Sequence, residues 1–108
     1  MTDEMEGTEQ ISFELIAASG QARSCAFNAI EAAKEGNFAK ADELMAEAEK
    51  SALAAHEHQN QLLFREASGD HVELDVLLVH AQDHLMTSML AREFAAEIIA
   101  LRRELATT

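Results

Sequence analysis

Apolar residues recur at alternating steps of three and four along much of this chain. In the middle third they fall at Phe38, Ala41, Met45, Ala48, Ala52, Ala55, Gln59 and Leu62. The first third repeats the spacing with Ile11, Leu15, Ala18, Ala22, Cys25 and Ala29, beside a stripe of Phe13, Ile16, Gly20, Phe27 and Ile30. Such seams mark amphipathic helices that bury one face at coiled-coil-like crossing angles. Two adjoining stripes on one helix exceed what a single bundle seam needs, which points to self-association. Gly36 in Glu-Gly-Asn-Phe and Gly69 in Ala-Ser-Gly-Asp each end one helix and open the way to the next. The pattern predicts helices over about 9–35, 38–67 and 75–105, with Asp75 as N-cap of the third and residues 1–8 a polar, frayed tail. Short connections force neighbours antiparallel, so the expected unit is an up-down-up three-helix bundle.

Composition agrees and narrows the class. The 108 residues contain no proline, tryptophan or tyrosine and only four glycines, while alanine and glutamate, both strong helix formers, abound. The fold class is all-α. One domain over 1–108 is expected, with a core modest enough that subunit association is a natural supplement. Twenty acidic against eight basic residues give a net charge of −12, which argues against nucleic acid or anionic membrane as partners. Cys25 is the single cysteine and cannot make an internal disulfide. No signal peptide and no apolar run of membrane-spanning length is evident, so a soluble, cytoplasmic domain is expected.

The third helix carries the anomaly. One seam reads Leu77, His80, His84, Thr87, Ala91, Phe94, Ile98, Leu101 and Leu105; its neighbour reads Val76, Val79, Asp83, Met86 and Leu90. Two imidazoles and a carboxylate thus lie on faces that are otherwise apolar. Burying an unpaired carboxylate costs several kcal/mol, so such a group is neutralised by a proton, a cation or a metal. Each residue also has a plain structural reading, as a boundary histidine bonded to carbonyls or an aspartate at the edge of its stripe. Three chemistries fit: metal ligation, including zinc held by His80 and His84; a nucleophilic histidine that takes up a phosphoryl group; and a polar layer that fixes helix register. Spacing does not choose among them.

Five stretches carry a family resemblance: Ala-Ser-Gly-Gln-Ala-Arg-Ser (18–24), Glu-Gly-Asn-Phe-Ala-Lys-Ala (35–41), Ala-His-Glu-His-Gln-Asn (55–60), Arg-Glu-Ala-Ser-Gly (65–69) and Leu-Leu-Val-His-Ala-Gln-Asp-His-Leu-Met-Thr (77–87). With these the chain resembles the enzyme IIA component of the lactose/cellobiose (N,N'-diacetylchitobiose) class of the bacterial sugar phosphotransferase system. The resemblance implies a nine-helix homotrimer in which His80 accepts a phosphoryl group from the carrier protein HPr. The group would pass to a cysteine of the IIB component and so to a sugar entering through the IIC permease. It also implies that Asp83 and its two symmetry mates bind one divalent ion, usually Mg2+, on the threefold axis. Gln82 and His84 are implied as supporting residues beside His80. The alternative is a non-catalytic metal-binding or regulatory trimer of the same fold.

Three features qualify the match. Asn60 stands where the family usually has Thr or Ser, so the hydroxyl contact expected there is missing. His58 is an extra histidine; with His56 it forms an i, i+2 pair that does not share a helix face, and both read as surface or subunit-boundary residues. Cys25 reads as a small buried hydrophobe. Of the twenty carboxylates, Asp83 alone is expected away from solvent.

Overall fold

The computed structural model describes residues 3–107; Met1, Thr2 and Thr108 lie outside the described residues. Three helices follow one another: α1 (Asp3–Lys34), α2 (Phe38–Ala67) and α3 (Val76–Ala106). They form an elongated bundle of 59 × 20 × 20 Å. Among the described residues no helix is long and apolar enough to cross a membrane.

The helix ends are set by a few side chains. At the end of α1 the amide of Asn37 reaches back to Ala32 O at 2.9 Å and that of Gly36 to Ala33 O at 3.0 Å. Gly36 makes this turn with φ +80°, a conformation that side chains other than glycine resist. Asn37 then serves the next helix, its side-chain oxygen accepting from Lys40 N at 3.2 Å. Gly69 (φ +90°) repeats the device after α2, with Asp70 N bonded to Arg65 O at 3.0 Å. Asp75 caps α3 by accepting from Leu78 N at 2.8 Å. The start of α1 departs from expectation. Its first described helical residue is Asp3, not Glu9, and the hydroxyl of Thr8 accepts from Arg65 Nη1 at 2.8 Å; Met1 and Thr2 of the tail expected to fray lie outside the described residues.

The core is thin. Among the described residues seventeen apolar ones are buried and eleven of these are alanines, so the helices approach closely but bury few large side chains. Leu15 packs with Ala55, Leu62, Leu78, Ala81 and Leu85 at one end, while Ala29, Ala33, Ala41 and Ile99 meet at the other. α1 and α3 therefore run parallel, with α2 antiparallel to both. α1 packs extensively against each of its neighbours, whereas α2 and α3 touch each other little.

On α2 the buried residues are Ala41, Ala48, Ala52, Ala55 and Leu62, all members of the predicted seam. On α3 they are Leu78, Ala81, Leu85, Ser88, Ala95 and Ile99, a stripe distinct from both seams read in the sequence. The two predicted seams face outward instead. Val76, Val79, Met86, Leu90, Phe94, Leu101 and Leu105 are all at least half exposed. Asp83, expected away from solvent, is exposed on this chain in the middle of that apolar stripe.

Candidate functional site

His80 and His84 stand one turn apart near the start of α3. Positions i and i+4 of a helix share a face, so the two rings meet: Nε2 of His84 lies 3.1 Å from Nε2 of His80. The ring centroids are 4.5 Å apart and the planes cross at 81°. Between two neutral imidazoles such a contact holds one proton, donated by one Nε2 to the lone pair of the other. One ring nitrogen is therefore a proton-free nucleophile and its neighbour a donor. His80 is exposed and His84 half-buried, so His80 is the more accessible ring of the two.

The backbone here offers little to an incoming group. Mid-helix amides are committed to the helix, and Thr87 turns its hydroxyl back onto the carbonyls of Asp83 (2.9 Å) and His84 (3.4 Å). Side chains must then supply whatever donors the chemistry needs. Asp83 lies on the adjoining stripe between Val79 and Met86 and makes no side-chain bond among the described residues.

Gln82 is placed differently from the histidines. It turns toward α2, where it forms a reciprocal amide pair with Gln59: each side-chain nitrogen donates to the other's oxygen at 2.7 Å. This pairing is not apparent in the sequence. Its trace there is the lone polar residue in the α2 seam, Gln59, opposite a glutamine on α3.

The remaining candidates separate from the site. His58 Nδ1 lies 3.1 Å from Glu14 Oε2, bridging α2 to α1, and it does not meet His56. Asn60 is exposed on α2. Cys25 is buried, its sulfur receiving the Gln21 side-chain amide at 3.5 Å. In the last turn of α2 the Glu66 carboxylate reaches the α2–α3 connection, where it accepts from the Val72 amide at 2.8 Å and faces His71 Nδ1 at 3.0 Å. The backbone bond first, and the His71 contact second, hold the Glu66 carboxyl below its ordinary pKa. Among the described residues no three His, Cys, Asp or Glu side chains gather as a metal site. A zinc ion would find only two imidazoles at His80 and His84, fewer than the three or four protein ligands it takes.

A hydrogen-bonded histidine pair, His80 exposed and His84 half-buried, near one end of a three-helix bundle defines a candidate nucleophile on an all-α scaffold with an outward apolar stripe. Comparison with known proteins gives that class its family. The family model for the lactose/cellobiose-specific IIA subunit of the PTS system matches residues 10–103. The PTS system N,N'-diacetylchitobiose-specific EIIA component of Escherichia coli K12 is 44% identical over 102 residues, covering 94% of this chain and 88% of that protein. The lichenan-specific phosphotransferase enzyme IIA component of Bacillus subtilis 168 is likewise 44% identical over 101 residues, covering 94% and 89%. The crystal structure of the PTS cellobiose-specific enzyme IIA from Bacillus anthracis superposes with a TM-score of 0.93 at 45% identity, covering 100% of this chain and 95% of that one. A solution structure of the IIA(chitobiose)–HPr complex of the Escherichia coli phosphotransferase system gives a TM-score of 0.80 at 42% identity, covering 92% of this chain and 96% of that one. The chain belongs to the lactose/cellobiose-specific IIA family and is a phosphotransfer component of a PTS.

Proposed function

We propose that this chain is a phosphohistidine carrier that accepts a phosphoryl group from HPr on His80 and passes it to a cysteine of a IIB component. The imidazole pair at 3.1 Å, with His80 exposed, carries the reading. With the shared proton on His84, Nε2 of His80 keeps its lone pair for attack on phosphorus. The nitrogen–phosphorus bond to His80 forms as the bond to the donor's imidazole breaks, and the donor nitrogen keeps the electron pair. The His84 N–H, released from that lone pair, then turns to a phosphoryl oxygen. Transfer onward repeats the exchange with a thiolate as nucleophile and the His80 nitrogen as leaving group. The related IIA(chitobiose) solved in complex with HPr supports HPr as donor. Relatives named for diacetylchitobiose and lactose support uptake of a β-linked disaccharide as the process served.

The proposal includes a homotrimer. It is supported by the outward apolar stripe of α3, which a monomer would leave in water over most of the helix length. Pairing three such stripes about an axis would bring three Asp83 carboxylates together. A single Asp83 does not complete a cation site, but three carboxylate groups plus water suit a hard divalent ion such as Mg2+. Asp83 would hold that ion, whose part is to neutralise the carboxylates and not to take part in transfer. No observation on this chain favours a metal-binding trimer without phosphoryl transfer.

The test is direct. Incubated with phosphoenolpyruvate, enzyme I and HPr, the protein is expected to acquire an acid-labile, alkali-stable phosphate, and His80→Ala to acquire none. An unlabelled wild type, or full labelling of His80→Ala, overturns the carrier reading.

A further inference from the structure

α2 and α3 are joined chiefly through α1; side-chain hydrogen bonds link their helical segments directly at Arg103–Asp42 (2.7 Å) toward the far end and, at the end that carries His80, through the reciprocal pair of Gln59 and Gln82. The pair lines an open, mostly apolar groove with Leu63, Leu74 and Val79, at the solvent side of the core where Leu62 of α2 meets Leu78 and Leu85 of α3. Both glutamines are half-buried, and each uses one donor and one acceptor on the other. An amide left unmatched there loses both bonds and the orientation that they impose. Gln82 follows His80 by two residues and precedes Asp83 by one. A helix turns about 100° per residue, so whatever fixes Gln82 toward α2 fixes the direction in which His80 leaves α3.

We propose that Gln59 is a positioning residue for phosphoryl transfer, acting through Gln82 to set the rotation of α3 that presents His80. The inference rests on the reading of His80 as phosphoryl acceptor. It also gives Gln82 a defined orientation, since each amide nitrogen in the pair retains a second N–H outside the pair. A glutamate at 59 would supply two acceptors where the pair needs one acceptor and one donor. Protonating that glutamate restores the donor, so the substitution converts the pair into a pH-sensitive one.

The experiment follows labelling by phospho-HPr over time for wild type, Gln59→Leu, Gln82→Leu, the double variant, and Gln59→Glu between pH 5.5 and 8. Gln59→Leu is expected to slow the initial rate by about tenfold or more, because small misplacement of a reacting atom is costly. That loss should vanish in the Gln82→Leu background, since Gln59 acts only through its partner. Gln59→Glu should be slow at pH 8 and recover relative to wild type as the pH falls. A wild-type rate for Gln59→Leu overturns the inference; so do additive losses in the double variant, or a pH-independent ratio of Gln59→Glu to wild type. The His80 ring resonances read the same rotation without any transfer. They should move in Gln59→Leu, and unmoved resonances overturn the positioning role whether or not wild type takes up label. An unlabelled wild type with shifted resonances would instead remove the carrier reading and leave the rotation in place.

Discussion

Truncating Phe94 to alanine should dismantle the proposed trimer while leaving the subunit folded. Phe94 is 60% exposed on the chain. A phenylalanine side chain buries roughly 200 Å2 when fully covered, so about 120 Å2 of this ring waits for a neighbour. At ~25 cal/mol per Å2, covering it contributes about 3 kcal/mol per subunit, of which alanine keeps little. Three copies then lose about 6–9 kcal/mol, or roughly four to six powers of ten in the association constant. Half-dissociation of a trimer scales with the square root of that constant, so its concentration should rise about 100- to 1000-fold. Sedimentation equilibrium over a wide concentration range measures that shift. The dissociated variant should unfold like the dissociated wild type, because the ring contributes little to packing inside one chain. A wild type that stays monomeric at high concentration would refute the reasoning, as would an unchanged half-dissociation concentration in Phe94→Ala.

Other outcomes follow from the same geometry. Asp83→Leu should give a trimer indifferent to chelators, because three carboxylates on the axis become an apolar layer; a wild-type trimer equally indifferent to chelators would remove the ion from Asp83. His84→Phe keeps a ring beside His80 but removes its donor, and the rate of labelling should fall about 100-fold, the usual effect of losing one donor to a developing charge; labelling at the wild-type rate would show that His84 is a bystander. Glu66→Gln tests the loop. The Glu66 carboxyl is depressed below its ordinary value, so the stability it contributes is present above its unfolded pKa and lost as the pH falls through the lower folded one. Val72 amide exchange should lose protection on that acid side in the wild type, whereas the variant should show weaker protection and no such step.

The α2 seam was legible because its buried members are alanines and a leucine at unbroken spacing, and the caps because Gly36, Asn37, Gly69 and Asp75 each suit one backbone role. The core face of α3 was not. Its stripe runs Leu78, Ala81, Leu85, Ser88, Arg92, Ala95 and Ile99, and Arg92 keeps a buried Nε without a hydrogen-bond partner. Close helix approach selects small residues such as Ala81, Ser88 and Ala95 there, and Arg92 interrupts the apolar run. Hydrophobicity alone therefore ranks the two outward stripes higher, since they hold the larger side chains. The histidine pair was visible as i, i+4 spacing, but the Gln59–Gln82 pair required the register between two helices, which neither helix's periodicity contains. The start of α1 failed for a related reason. There Thr8 is bonded to Arg65, 57 residues further along the chain.

The two outward stripes of α3 adjoin, one carrying His80, His84 and Thr87 and the other Val79, Asp83, Met86 and Leu90. If association covers the second, the histidines come to the rim of the covered surface instead of its centre. A relay needs that compromise. The acceptor nitrogen must stay open enough to meet two successive partners, yet a phosphoryl group placed on a chain of charge −12 needs fixed donors beside it. The helix cannot provide them from its own mid-helix amides. His84, one turn on and already hydrogen-bonded to His80, provides one without occupying the approach, and side chains of an adjoining subunit at the rim would be within reach to provide more.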